Sequence, residues 1–314
     1  GVDDENVIEL CADITLTGEH TLKRNTTIKS DDKDHKISII SINGSNAGIT
    51  VTGGETTLNL GANGYDKKLT IEGDTGVAFI TVSGGATANM YKNVTLQNRE
   101  STINACVVIK GSKSVFNMHG GVIEECSRAV MADSGATFNM SRGEIRNCGG
   151  GRGRGSGNGG GVRVYEATFV MSGGTISGCS ASNGGGLCAE NSSTVTISGG
   201  TISGCSADVG GGLYVDGSTI TINNGTISEC TAENNGGGLY AINSSTNSST
   251  VNISGGTISG CTARNNGGGL YATNSSTHSS IVNISGGTIS GCKGLLGGGL
   301  YADNSTITIN NGTI

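Results

Sequence analysis

The stretch GGTISGCSADVGGGLYVDGSTITI, residues 199–222, contains three phrases that return along the chain. The first is Gly-x-Ile followed three residues later by cysteine. Its isoleucines are Ile123, Ile145, Ile176, Ile202, Ile227, Ile258, Ile289 and Ile314, at steps of 22 to 31 residues. Its cysteines are Cys126, Cys148, Cys179, Cys205, Cys230, Cys261 and Cys292. The second phrase is three glycines and then Leu or Val, at Gly159, Gly184, Gly210, Gly236, Gly267 and Gly297. The third is a two-residue apolar alternation, as in Val195 and Ile197, Ile220 and Ile222, or Val251 and Ile253.

Alternation of β-branched residues at period two is a strand signal, and Gly, Asn and Ser between the runs supply turns. No window shows a helical period. The units are too short for propeller blades and lack a leucine-rich consensus. The pattern predicts an all-β chain: a right-handed parallel β-helix, a solenoid with about three short strands per coil of 22–31 residues. Coils rise by the interstrand spacing of about 4.8 Å, so equivalent side chains stack and each coil supports its neighbours. Residues 106–314 form the regular repeats. Residues 1–105 keep the alternation without the glycine triplets, as in Ile37-Ser38-Ile39 and Leu58-Asn59-Leu60, and read as an N-terminal cap with degenerate coils. The last unit stops in mid-coil at Ile314, which reads as a cut from something longer.

Composition narrows the function. With 57 glycines but no proline in 314 residues, and no strict triplet period, collagen is excluded. Charged residues make up only 14% and the net charge is -6, which disfavours nucleic acid as a partner. No apolar run approaches the roughly 20 residues of a membrane-spanning helix. The histidines His20, His35, His119 and His278 are scattered, and no His or Cys pair has zinc-ligand spacing, so neither metal nor cofactor is expected.

The Gly-Gly-Gly-Leu-Tyr and Gly-Gly-Thr-Ile-Ser-Gly-Cys phrases resemble the right-handed β-helix repeats of bacterial cell-surface proteins, including polymorphic outer-membrane protein and autotransporter passenger repeats, over residues 106–314. The resemblance implies an exported, surface-displayed adhesin or structural stalk.

Polysaccharide lyases and hydrolases share this fold and need convergent carboxylates, ~5 to 9.5 Å apart in hydrolases. Asp208, Asp216, Glu229, Glu233 and Asp303 show no recurring register, and Glu124 with Glu144, at matched outward positions near Arg146, is the best acid pair. It reads as a solvated surface cluster, so no catalytic residue is assigned and the protein reads as a non-enzyme. Function is expected on outward files instead. Tyr214, Tyr240, Tyr271 and Tyr301 follow the core-facing leucines and form a predicted aromatic ladder, with Arg163 and Cys188 at the same place in earlier coils. Thr175, Thr201, Thr226, Thr257 and Thr288 form a predicted threonine ladder, with serines two residues on. Among the Asn-x-Ser/Thr sites, Asn243, Asn247 and Asn274 fall in predicted surface loops and are the favoured glycosylation positions. The seven repeated cysteines predict a stacked file, close enough to bridge in principle, read here as a buried reduced ladder; Cys188 should face outward.

The expected function is an extracellular or cell-surface rod acting as adhesin, coat or fibre. Its partners would be surface glycans, host or neighbour-cell proteins, or further rods, held by many weak contacts along one axis. The alternatives are ice binding through the threonine ladders and, behind it, a polysaccharide lyase or hydrolase.

Overall fold

The computed structural model describes residues 6–40, 48–73, 78–98, 105–149, 157–243, 247–274 and 279–314. All regular structure among them is β-strand. Each coil contributes one strand to each of three parallel sheets, which hold twelve, eleven and eleven strands among the described residues. Eleven interstrand steps along the first sheet correspond to a rod roughly 50 Å long.

The repeat phrases map onto the sheets in order. In one coil Thr201–Ser203 lies in the second sheet, Leu213–Asp216 in the third and Thr219–Ile222 in the first. Register is exact in the sense that matters for packing: Ile145 pairs with Ile176, then Ile202, Ile227, Ile258 and Ile289, in one column no more than 2% exposed. Burying each isoleucine contributes about 2 kcal/mol relative to exposure. On the first sheet Phe116, Phe138 and Phe169 stack inside the coil, with centroids 5.5 and 4.9 Å apart. The core is therefore a set of continuous columns, each made by copying one position.

Strands also extend N-terminally from the regular repeats. Asn6–Leu10 pairs in parallel with Thr26–Ser30, and the strands that follow join the same three sheets.

The regular coils hold more than the three strands expected. After the cysteine, Ser180–Asn183, Ser206–Val209, Thr231–Asn235 and Thr262–Ala263 form a fourth parallel sheet. The sequence hides it because these segments are polar and carry only one inward residue each: Ala181, Ala207, Ala232 or Ala263. The chain returns from this excursion through the glycine triplet. A Cβ on Gly212 would lie 2.6 Å from the Gly238 carbonyl oxygen, 3.0 Å from Ile227 Cγ2 and 3.3 Å from Cys230 Sγ. The triplet is the place where consecutive coils, the isoleucine column and the cysteine file meet too closely for any side chain.

The file is continuous. Cys148, Cys179, Cys205, Cys230 and Cys261 are buried free thiols and Cys292 is partly buried. Each lies near a backbone carbonyl two residues back, as Cys205 Sγ does to Ser203 O at 3.4 Å. The first member departs from the expected ladder: Cys126 is bridged to Cys106, their Cα atoms 6.1 Å apart. Cys106 is the second residue of the strand Ala105–Lys110, outside the repeated phrase, so the spacing of the repeats did not mark it as a partner.

Candidate functional site

The outward files decide what the rod can present. The tyrosines do form the ladder, with successive ring centroids 5.6, 5.1 and 5.6 Å apart from Tyr214 through Tyr240 and Tyr271 to Tyr301. They are not a display surface. Tyr214, Tyr240 and Tyr271 are only 8, 8 and 7% exposed, and Tyr301 is partly buried. They point away from the central core into the corner between the third and fourth sheets, where Val209 and Ile242 pack on them as a second hydrophobic cluster. Burial pushes the phenols of Tyr214 and Tyr240 up, that of Tyr240 to about 12.

Cys188 heads this cluster and is fully buried, not outward-facing in the sense of reaching solvent. It pairs in register with Arg163 on one side and Tyr214 on the other. Burial, with Glu190 nearby, raises its thiol pKa well above the ordinary range, which makes it a poor nucleophile.

Around Cys188 lies a polar group that the sequence reading missed. Arg163 Nε donates to Glu190 Oε2 at 2.8 Å and Asn158 Nδ2 donates to Glu190 Oε1 at 2.6 Å. Arg128 Nε donates to the carbonyls of Asn158 and Gly159 at 3.0 and 3.1 Å. Burial, and then the neighbouring Arg163, lowers the Arg128 pKa. Glu190 and Asp216 are register partners on adjacent coils, so Asp216 does belong to an acid file, contrary to the expectation that the regular coils contain none. The file runs Asp133, Tyr165, Glu190, Asp216, and counting two residues beyond each leucine-following position finds it. Both oxygens of Glu190 are already engaged, and the group serves to pin the chain on either side of the first glycine triplet, residues 159–161.

The acid pair singled out by sequence is arranged differently from expectation. Glu124 pairs in register with Arg146, and Glu144 with Val122, so the two acids are not at matched positions. Arg146 bridges them, Nη2 2.6 Å from Glu124 Oε2 and Nη1 2.9 Å from Glu144 Oε2. The Glu124 carboxylate holds the Arg146 pKa above its ordinary value. Glu124 follows its isoleucine, Ile123, whereas Glu144 precedes Ile145, so once the isoleucines are in register the two acids stand on opposite sides of the column.

The threonine ladder is a true surface file. Thr175, Thr201, Thr226, Thr257 and Thr288 are successive register partners, as are Ser177, Ser203, Ser228, Ser259 and Ser290. All five threonines are partly exposed. A second array, Thr194 and Thr196 with Thr219 and Thr221 on the first sheet, is broken at Asn252, Ile281 and Asn283. The same sheet carries an asparagine ladder not anticipated from sequence: Asn89, Asn117 and Asn139 each donate to the asparagine one coil before, at 2.8 to 2.9 Å.

The favoured sequons separate. Asn243 directly follows the strand Leu239–Ile242 and is wholly buried, not in a surface loop as expected, because it still lies against the coil at the strand's end. Asn247 is exposed, its amide donating to Ser192 Oγ at 2.9 Å. Asn274 is partly exposed and donates to the Asn304 carbonyl at 2.8 Å. His278 lies outside the described residues. Among the described residues no group of three or more His, Cys, Asp or Glu is placed to hold a metal ion, and no helix is long and apolar enough to cross a membrane.

Three parallel sheets wound by a short repeat define a parallel β-solenoid repeat protein. Residues 105–283 match the family described as the right handed beta helix region, which is more than half of the chain, and the chain belongs to that family. No match is found among curated proteins or among solved structures.

Proposed function

We propose that this chain is an extracellular, cell-surface β-helical rod, non-enzymatic, which acts as an adhesin, coat or fibre element through its repeated Thr and Ser face. The observation that carries the reading is the unbroken Thr-Ile-Ser file over five coils of the second sheet. A rigid array of equivalent hydroxyls offers many weak contacts whose combined strength exceeds any one of them. The buried tyrosines are assigned to stability, not to binding. The engaged state of Glu124, Glu144 and Glu190 supports a non-catalytic role.

The test is retention of the labelled protein on immobilised surface glycans and on intact cells, with self-association followed by sedimentation. Replacing Thr201, Thr226 and Thr257 together by lysine interrupts the face without touching the core. Retention or self-association falling at least about tenfold is expected. A monomer that binds neither glycans nor cells, or a triple variant that behaves as the parent does, overturns the reading.

A second reading, ice binding, is favoured by the regularity of the paired Thr and Ser files on the second sheet. Thermal hysteresis abolished by Thr201→Tyr would select it over adhesion. Its absence in the parent protein would remove it.

A further inference from the structure

Where the first sheet hands the chain to the second, the regular coils turn on Ser-Gly-Gly, at 172–174, 198–200, 254–256 and 285–287, or on Asn-Asn-Gly, at 223–225 and 310–312. Three earlier coils turn instead on Tyr91-Lys92-Asn93, His119-Gly120-Gly121 and Ser141-Arg142-Gly143. The ladder runs into these turns. The amides of Tyr91, His119 and Ser141 donate to the carbonyls of Leu60, Met90 and Met118 at 3.1, 2.9 and 3.0 Å, so the three turns lie directly above one another.

Stacking forbids side chains along the floor of this corner. A Cβ on Gly121 would lie 2.5 Å from the Val94 carbonyl oxygen, and one on Gly143 would lie 2.8 Å from the Gly120 carbonyl carbon. The result is a groove of about 780 Å³ whose lining includes Asn63, Tyr91, Lys92, His119, Ser141 and Arg142. It contains aromatic, hydroxyl and cationic groups together. The Tyr91 and His119 rings lie 5.6 Å apart, tilted by 32°. Ser141 Oγ is 3.4 Å from His119 Nδ1. In a chain of net charge -6, the residues lining this groove include Lys92 and Arg142 and no carboxylate.

Neither cation is committed to the fold. Lys92 Nζ sits 2.7 Å from Asp66 Oδ1, but the two side chains are 62 and 82% exposed, a pairing that contributes little and that another anion can replace. Arg142 is exposed and has no ion-pair partner among the described residues.

We propose that this corner groove binds an anionic saccharide, a short oligosaccharide with carboxylate or sulfate groups on its rings. Arg142 forks onto the anionic group and Lys92 exchanges Asp66 for a second one. The Tyr91 ring lies against a sugar face, while Ser141, His119 and Asn63 meet hydroxyls. The site lies on a different part of the rod from the Thr and Ser face and does not depend on that face's role.

The test is calorimetric titration of the intact chain with trigalacturonate, with a sulfated trisaccharide of equal charge, and with neutral galactotriose. At least one anionic probe is expected to bind at least about tenfold more tightly than the neutral one, with affinity falling as salt rises. Comparison of the two anionic arms tells carboxylate from sulfate. Arg142→Gln and Lys92→Gln should each weaken the anionic probe several-fold, and together at least tenfold, with the melting temperature unchanged. Lys110→Gln, an exposed lysine on the third sheet, should leave binding as it was. Absence of binding by both anions, equal binding of the neutral trisaccharide, or an Arg142→Gln Lys92→Gln variant that binds like the parent overturns the proposal. Loss of binding here with retention on cells intact separates this site from the Thr and Ser face.

Discussion

Tyr214 and Tyr240 lie face to face, their ring centroids 5.6 Å apart and their planes within 3°, and each is only 8% exposed. Repetition alone brings the rings together, because each is the register partner of the last. What removes them from water is the fourth sheet, through Val209, together with Ile242. The ladder is thus a second core running outside the first. Tyr240→Ala removes a ring packed on both sides and is expected to destabilise the rod by about 3 kcal/mol, the range for emptying a buried aromatic position. Urea denaturation checks it, and Tyr240→Phe should cost far less because the packing surface remains. A Tyr240→Ala variant as stable as the parent would show that the stack adds nothing.

The glycine triplet gives a graded prediction. Gly204 has a φ of +60° and nothing within 4 Å of an added Cβ, so Gly204→Ala carries conformational strain alone, about 1 kcal/mol. Gly212→Ala carries no such φ strain but a collision with the Gly238 backbone and with Ile227, neither of which can retreat in a continuous column. Its loss of stability should exceed that of Gly204→Ala by at least about 2 kcal/mol. Paired melting curves of the two variants measure the difference.

The thiols should divide by exposure. Cys11 is exposed, Cys292 partly so, and Cys148, Cys179, Cys188, Cys205, Cys230 and Cys261 are buried. Alkylation of the native protein followed by mass spectrometry is expected to modify Cys11 first and Cys292 slowly, with the buried six reacting only on unfolding. Rapid modification of Cys205 or Cys230 in the native state would show that the file is open to solvent.

The fold was legible because a parallel solenoid turns sequence repetition into spatial repetition. The repeat alone places Ile176, Ile202, Ile227 and Ile258 in one column, and they occupy one. The threonine file followed from the same logic. What the repeat could not reveal was depth. Nothing in the Leu-Tyr phrase says that a polar segment such as Ser206–Val209 will fold back as a further strand and cover the ring. Nor could it reveal partners that break the repeat. Cys106 lies outside the phrase that carries Cys126, and Glu190 meets Arg163 and Asn158 through coils of unequal length. Binding chemistry at the Tyr91 and His119 turns was equally hidden, because it comes from a departure from Ser-Gly-Gly in coils whose equivalence only the ladder establishes.

Alkaline pH should weaken the rod before it disturbs ordinary surface charges. Burial holds the Tyr240 phenol up to about 12 against an ordinary 10.0. The hydrogen bond with Cys230, and burial, hold the Cys261 thiol up to about 12 against 9.0. Both groups are neutral when protonated, so the unfolded chain releases these protons first, near pH 9 for the thiol and near 10 for the phenol. Between those values and about 12 the folded chain binds more protons than the unfolded one, and stability must fall as pH rises. Below pH 9 neither group makes stability depend on pH. Urea midpoints measured from pH 7 to 11 are expected to stay level to about 9 and then decline. Cys261→Ala combined with Tyr240→Phe should make the decline shallower while lowering the plateau only slightly, the remainder coming from Tyr214 and the other buried thiols, whose pKa values are raised in the same direction. A decline equally steep in that double variant would mean that other groups govern the alkaline limb.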